Sequence, residues 1–106
     1  MATYTHDEYG LTYSLPDKPS VLDVLAYDSR RIELHGSPAL LILWECAKEM
    51  IRDWKCDLFK LDVDLAKVDN LLIADAVKIV AFEVADFRAN LRIDKLAEGG
   101  DKKAKN

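Results

Sequence analysis

The feature that most constrains the fold is a long helical periodicity between Asn70 and Leu91. Apolar residues recur there at alternating spacings of four and three: Ile73, Val77, Val80, Val84, Phe87 and Leu91. At ~100° per residue these positions fall within about 80° of arc, which predicts a helix with one narrow core-facing side. Asp69 or Asn70 can cap its first turn. The rest of the chain is expected to pack against this helix.

The opposite side of the same helix is also apolar. It carries Leu71, Phe82, Ala85 and Ala89, with Asp75 and Lys78 as polar neighbours. Full burial of a phenylalanine contributes about 2–3 kcal/mol, so we expect Phe82 to be covered. The cover is either the N-terminal hairpin or another helix of the chain, or it is another protein molecule. Leu71, Phe82, Ala85 and Ala89 are therefore candidate partner-binding residues.

The N-terminal residues 3–15 are typical of a β-hairpin. Short β-branched and aromatic runs flank a turn that ends at Gly10, and alternation places Leu11, Tyr13 and Leu15 on one face. Because an isolated hairpin is marginally stable in water, that face is expected to lie on the helices.

A first helix is predicted to begin after the N-cap Ser20, with Asp23 completing a capping box. Its expected inward stripe is Val21, Val24 and Leu25, up to about Ser29. Residues 32–36 fit either a continued helix that ends at Gly36 or a loop.

A second helix is predicted to begin with Ser37 as N-cap and Pro38 at the first helical position. Its core stripe is expected to be Leu40, Trp44, Ala47, Ile51 and Trp54. Trp54, near the predicted helix end, fits equally well a residue at the rim of a partner interface, and it joins the candidate partner-binding residues.

Residues 55–69 are expected to form a connector with one short helical turn, held to the core by Phe59 and Leu61. Residues 98–106 have no periodicity and are expected to be a disordered tail. The predicted fold is therefore a mainly α, three-helix domain with a short N-terminal β-hairpin, in which residues 1–97 form one domain.

Charge and hydropathy exclude several function classes. The net charge is −4, and residues 98–106 contribute +1, so residues 1–97 carry −5 and offer no concentrated basic face for nucleic acid. The longest unbroken apolar run, residues 39–44, is far shorter than the ~18 residues of a membrane span. The first residues lack the basic start and apolar core of a secretion signal, so none is expected, and the cysteines Cys46 and Cys56 suit a reducing compartment. We expect a cytoplasmic protein without nucleic-acid or membrane partners.

No catalytic, cofactor or metal signature is present. One group of acidic residues is dense enough to suggest a metal site: Asp57, Asp62, Asp64 and Asp69. This group lacks the glycine and the glutamate of an EF-hand calcium loop. A cysteine nucleophile needs a positioned base, and the sequence orients none toward Cys46 or Cys56. The expectation is a non-enzymatic protein that needs no cofactor.

The hairpin leads into Leu15-Pro16-Asp17-Lys18-Pro19-Ser20-Val21, followed by Leu25-Ala26-Tyr27-Asp28-Ser29 and later by Trp44-Glu45-Cys46-Ala47-Lys48 and Ile51-Arg52-Asp53-Trp54-Lys55-Cys56-Asp57. Over roughly residues 10–60 this layout resembles the small tail assembly chaperones of long-tailed bacteriophages. The resemblance implies a non-enzymatic chaperone in the host cytoplasm, which binds the helical tape-measure protein and helps to recruit tail-tube subunits.

Two other functions remain open from the sequence. A small homo-oligomeric structural or adaptor module would use the face around Phe82 for self-pairing. A phage-encoded host-directed inhibitor would use its acidic body to imitate nucleic acid toward a basic target.

Overall fold

Residues 1–95 fold into a three-stranded antiparallel sheet and three helices, so the domain is α+β. The computed structural model describes the backbone of residues 1–95 and the side chains of residues 1–91. The elements, in chain order, are β1 (Ala2–His6), β2 (Leu11–Leu15), α1 (Val21–Glu33), α2 (Ala39–Ala47), β3 (Arg52–Lys55) and α3 (Leu71–Lys95). Single 3-10 turns lie at Asp7–Tyr9 and Leu65–Lys67.

The hairpin expectation is confirmed. β1 pairs with β2 antiparallel, with Ala2 opposite Leu15 and His6 opposite Leu11. Gly10 closes the turn at φ +58, a left-handed conformation that glycine adopts without a Cβ penalty. Leu11, Tyr13 and Leu15 are each at most 1% exposed, so their shared face lies in the core as predicted.

The mainly α fold class is wrong, because the segment assigned to the end of the second helix is a strand. α2 ends at Ala47, and β3 pairs antiparallel with β2, which gives the sheet order β1-β2-β3. Exposed Asp53 and Lys55 alternate with partly buried Arg52 and Trp54, the two-residue period of a half-buried strand. Asp53 adopts φ 51 where the β2–β3 register shifts.

The first two helices begin near their predicted positions. Ser20 caps α1, and its hydroxyl accepts from the Asp23 N–H at 3.1 Å while the Asp23 carboxylate accepts from the Ser20 N–H at 3.0 Å. α1 continues to Glu33, which settles the ambiguity in favour of a longer helix followed by a turn. α2 begins one residue later than expected, with Pro38 rather than Ser37 at the cap and no side-chain capping bond.

α3 supplies the centre of the core. Val77, Val80 and Val84 are at most 1% exposed, and Ile73 and Phe87 pack partly buried beside them, so the predicted core-facing side is confirmed. Asn70 caps the helix, since its carboxamide oxygen accepts from the Leu72 N–H at 2.9 Å.

Aromatic rings join the sheet to α2. Trp44 is fully buried, and its ring centroid lies 5.9 Å from that of Trp54 and 6.1 Å from that of Phe59. The Trp54 indole N–H donates to the Phe59 carbonyl at 3.3 Å. Phe59 is 9% exposed and Leu61 packs against the core, so the connector is held to the core as expected. The predicted disordered tail, residues 98–106, lies outside the described residues.

Glu83 fastens α3 to the hairpin. One of its carboxylate oxygens accepts from the Tyr13 hydroxyl at 2.5 Å and lies 2.9 Å from the His6 Nε2. Burial, followed by the hydrogen bond to Glu83, raises the pKa of the Tyr13 hydroxyl, so this hydroxyl stays a proton donor. The hairpin and α3 therefore pack in one defined orientation.

Candidate functional site

The attachment of α1 determines which surfaces remain open. Tyr27, 1% exposed, is the one residue of α1 with a buried side chain. Ion pairs supply much of the remaining attachment: Arg30 to Glu45 at 2.7 Å, Arg52 to Asp23 at 2.9 Å, and Arg88 to Asp28 through two bonds of 3.1 and 2.7 Å. These pairs reach α2, β3 and α3 respectively.

The apolar side of α1 faces outward. Four of its apolar side chains are more than half exposed, and we call them the α1 outer stripe. They are Val21 at 73%, Leu22 at 76%, Leu25 at 54% and Ile32 at 75% exposure. At ~100° per residue they lie within about 100° of arc. Full burial of one such side chain contributes about 1.5–3 kcal/mol, so the stripe leaves roughly 4–8 kcal/mol of burial unrealised.

The expected inward stripe of the first helix is therefore wrong for Val21 and Leu25, and only Val24 packs partly against the core. Sequence reasoning missed the outer stripe as a surface. The spacing of Leu22, Leu25, Ser29 and Ile32 at three, four and three indicates an apolar side opposite Tyr27, but it does not indicate which of the two sides faces the core.

A groove opens where α1 approaches α3. Its volume is about 420 Å³. The residues that line it are Tyr27, Asp28, Arg31, Ile32, Leu43, Ala85, Arg88 and Ala89. The Asp28–Arg88 ion pair joins the two helices at this groove, and Ile32 of the α1 outer stripe forms part of its wall. The groove and the outer stripe are thus continuous.

The structure brings three of the five candidate residues together. Phe82 is 50% exposed, and Ala85 and Ala89 follow it on α3 and line the groove. Phe82 and Ala89 lie seven residues apart, about 10 Å along the helix axis. No described element covers Phe82 fully, so half of its surface remains open to a partner.

The other two candidates lie elsewhere. Leu71, 79% exposed, is about 16 Å along α3 from Phe82. Leu72, which the sequence reading did not single out, is 51% exposed beside it. Trp54 lies on β3 with its ring against Tyr13, Trp44 and Phe59, so its contacts are those of a core residue.

The surroundings of Cys46, Asp57 and Asp64 give these side chains structural roles. Burial raises the pKa of the Cys46 thiol, which disfavours the thiolate that a nucleophile requires. Asp64 caps the short 3-10 turn and the Asp57 carboxylate lies against Gly10, which gives both acids structural positions. No three His, Cys, Asp or Glu side chains of the described part of the chain form a group able to hold a metal ion.

Hydropathy and comparison with known proteins complete the description of the site. Among the described helices, none combines the length and apolar character needed to cross a bilayer. No protein-family model, curated protein or solved structure matches this chain. The functional argument therefore depends on the exposed apolar surfaces and on the residue patterns of the sequence.

Proposed function

We propose that this chain is a non-enzymatic assembly chaperone that acts in the host cytoplasm. Its client is a long helical protein, the phage tape-measure protein, and it helps to recruit tail-tube subunits to that client during tail assembly. The observation that carries the proposal is the half-exposed Phe82 beside the groove that contains Ala85 and Ala89.

This surface has the chemistry of a helix-binding site. An amphipathic client helix places apolar side chains at intervals of three and four residues, and it binds where a groove accepts them. The small side chains of Ala85 and Ala89 let a client helix approach α3 closely, and Phe82 adds an aromatic contact one turn away. A chaperone needs such a surface because it must cover the apolar stripe of an unassembled client.

The negative charge of this chain favours client helices that carry basic residues. The described residues and the two that follow carry a net −5, and exposed Asp75 and Asp86 flank Phe82 on α3. A client helix with lysine or arginine beside its apolar stripe therefore binds more favourably than an acidic one, and raised salt weakens this preference.

Co-expression tests the proposal. A coiled-coil fragment of a phage tape-measure protein is expected to form a soluble complex with the wild-type chain. Phe82→Asp, which puts a charge into the apolar contact, is expected to lose the complex. Asp86→Ala, which removes only one charge beside that contact, is expected to retain the complex with slightly weaker binding. An insoluble fragment with no complex at wild type, or an undiminished complex with Phe82→Asp, would contradict the proposal.

A homo-oligomeric module is the second candidate function, because one further observation favours it: the α1 outer stripe. Most of that stripe is separate from Phe82, and Ile32 is the residue that the stripe shares with the groove.

A further inference from the structure

The groove between α1 and α3 is locally positive on a chain whose net charge is negative. Three charged side chains line it, Asp28, Arg31 and Arg88, so one negative charge stands against two positive ones. Arg88 is bonded to the Asp28 carboxylate at 3.1 and 2.7 Å. Arg31 is exposed, and within residues 1–91 no ion pair takes up its charge. The groove therefore presents a guanidinium that is available to an anionic partner.

The charges on α3 are separated across the line of Phe82. At ~100° per residue, Lys78 and the groove residue Ala85 lie about 40° and about 60° from Phe82 on one side of the helix. Asp75 and Asp86 lie about 20° and about 40° from Phe82 on the other side. All three charged residues are exposed. Phe82 thus has a basic border toward the groove and an acidic border away from it.

We propose that this surface selects a client helix whose apolar stripe has acidic residues along one edge and basic residues along the other. The acidic edge lies over the groove, where Arg31 and Lys78 attract it. The basic edge lies over Asp75 and Asp86. The inference rests on the proposed function, because it names the charge pattern of the client helix that binds beside Phe82.

The dimensions of an amphipathic helix fit the two charged borders. Its apolar stripe is about 100° wide, and the charged residues that flank the stripe stand on opposite sides of the contact. When two helices pack at an interaxial distance of about 8–10 Å, the flanking residues of one lie against those of the other. A client helix packed on Phe82 therefore presents one edge to each border.

Local charges decide the preference at physiological salt. The Debye length is then about 8 Å, and Lys78 and Asp86 each lie four residues from Phe82, about 6 Å along the helix axis. A client with two basic edges is attracted by the net charge of the chain but places cations against Arg31. A client with two acidic edges meets Asp75 and Asp86 instead.

Synthetic helical peptides of about 20 residues test the inference. They share one leucine stripe and one side-chain lactam on the outward face, and they differ only in their edges: acidic and basic, both acidic, or both basic. Fluorescence anisotropy at about 0.15 M salt measures their affinities. The peptide with one acidic and one basic edge, the mixed-edge peptide, is expected to bind roughly three- to tenfold more tightly than either other peptide. This advantage should shrink at about 1 M salt.

Arg31→Glu reverses the free charge of the groove. It is expected to weaken binding of the mixed-edge peptide about fivefold and to strengthen binding of the peptide with two basic edges. Arg31→Gln, which leaves no charge of either sign near the end of α1, is expected to give a smaller effect in the same direction. Lys67→Glu is the matched control, since Lys67 is also exposed and precedes the start of α3, more than about 27 Å along the helix axis from Ala89. It is expected to leave the order of the three affinities unchanged.

The outcomes separate this inference from the proposed function. Equal affinities for the three peptides, or an unchanged preference in Arg31→Glu, would overturn the inference alone. Binding of the tape-measure fragment without binding of the mixed-edge peptide would do the same. A wild-type chain that binds neither the fragment nor any peptide would overturn the proposed function, and the inference with it.

Discussion

Alanine substitutions on the two sides of α1 should differ sharply in their effect on stability. Tyr27 is 1% exposed, whereas Leu22 is 76% exposed. Truncation of a buried aromatic side chain to alanine costs about 3–5 kcal/mol. Leu22 buries only about a quarter of its surface, so Leu22→Ala is expected to cost less than about 0.7 kcal/mol.

Urea unfolding followed by circular dichroism measures both effects. For a slope of about 2 kcal/mol per molar urea, Tyr27→Ala is expected to lower the midpoint by about 2 M, and Leu22→Ala by less than about 0.4 M. A protein concentration of about 2 µM keeps self-association from contributing. If Tyr27→Ala does not fold, Tyr27→Leu, which retains part of the apolar volume, replaces it in the comparison.

The result that refutes the reasoning is a similar loss of stability in the two variants. It would mean that Leu22 is buried within the monomer. The α1 outer stripe would then be part of the core, as the sequence pattern predicts for Val21 and Leu25. No free apolar surface would exist on this helix.

Three further perturbations test other parts of the fold. Gly10→Ala is expected to lower stability by at least about 1–2 kcal/mol, because the backbone is left-handed there and the new Cβ would lie against the Asp57 carboxylate. Adding Asp57→Ala should recover part of that stability in thermal unfolding. Glu83→Ala is expected to cost about 1–3 kcal/mol because it leaves the Tyr13 hydroxyl buried without its acceptor, and the loss should be smaller in a Tyr13→Phe background. The backbone hydrogen bond from the N-cap residue lowers the pKa of Asp23 in the folded state. The ionised Asp23 carboxylate therefore stabilises the fold above about pH 3.9, and this stabilisation is lost as the pH falls through the lower folded pKa. The urea midpoint should fall between pH 5 and pH 2, and it should fall less steeply in Asp23→Asn.

The elements that could be predicted from the sequence are those whose pattern has one physical solution. The hairpin has a glycine at its turn and alternates over a full strand, and α3 carries the core-facing side through Val77, Val80 and Val84 over two turns. Both are supported by local propensity and by burial at once. The third strand was missed because helical spacing from Trp44 continues by coincidence through Ile51 and Trp54. The shorter alternation of exposed Asp53 and Lys55 with Trp54 was the competing signal.

The orientation of α1 could not be predicted from its own residues. Both sides of this helix carry large apolar side chains, so amphipathicity does not distinguish the inner side from the outer. The inner side is the one that buries Tyr27 in the core and forms ion pairs with residues far along the chain, Asp23 with Arg52 and Asp28 with Arg88, separated by 29 and 60 positions. The candidate site could be predicted only in part for the same reason. Helical spacing placed Phe82, Ala85 and Ala89 on one side of a helix. The groove beside them forms only where α1 packs near α3, and the sequence does not give that packing.

The central claim is that this chain functions through apolar side chains left exposed on α1 and α3. Hydroxyl-radical footprinting, read by mass spectrometry, tests that claim most directly. In the isolated chain at about 2 µM, Leu22, Leu25 and Phe82 are expected to oxidise readily, while Val80 at 0% exposure stays protected. In the purified complex with the client fragment, Phe82 is expected to become protected. Slow oxidation of Phe82 in the isolated chain, or equal oxidation with and without the client, would contradict the account.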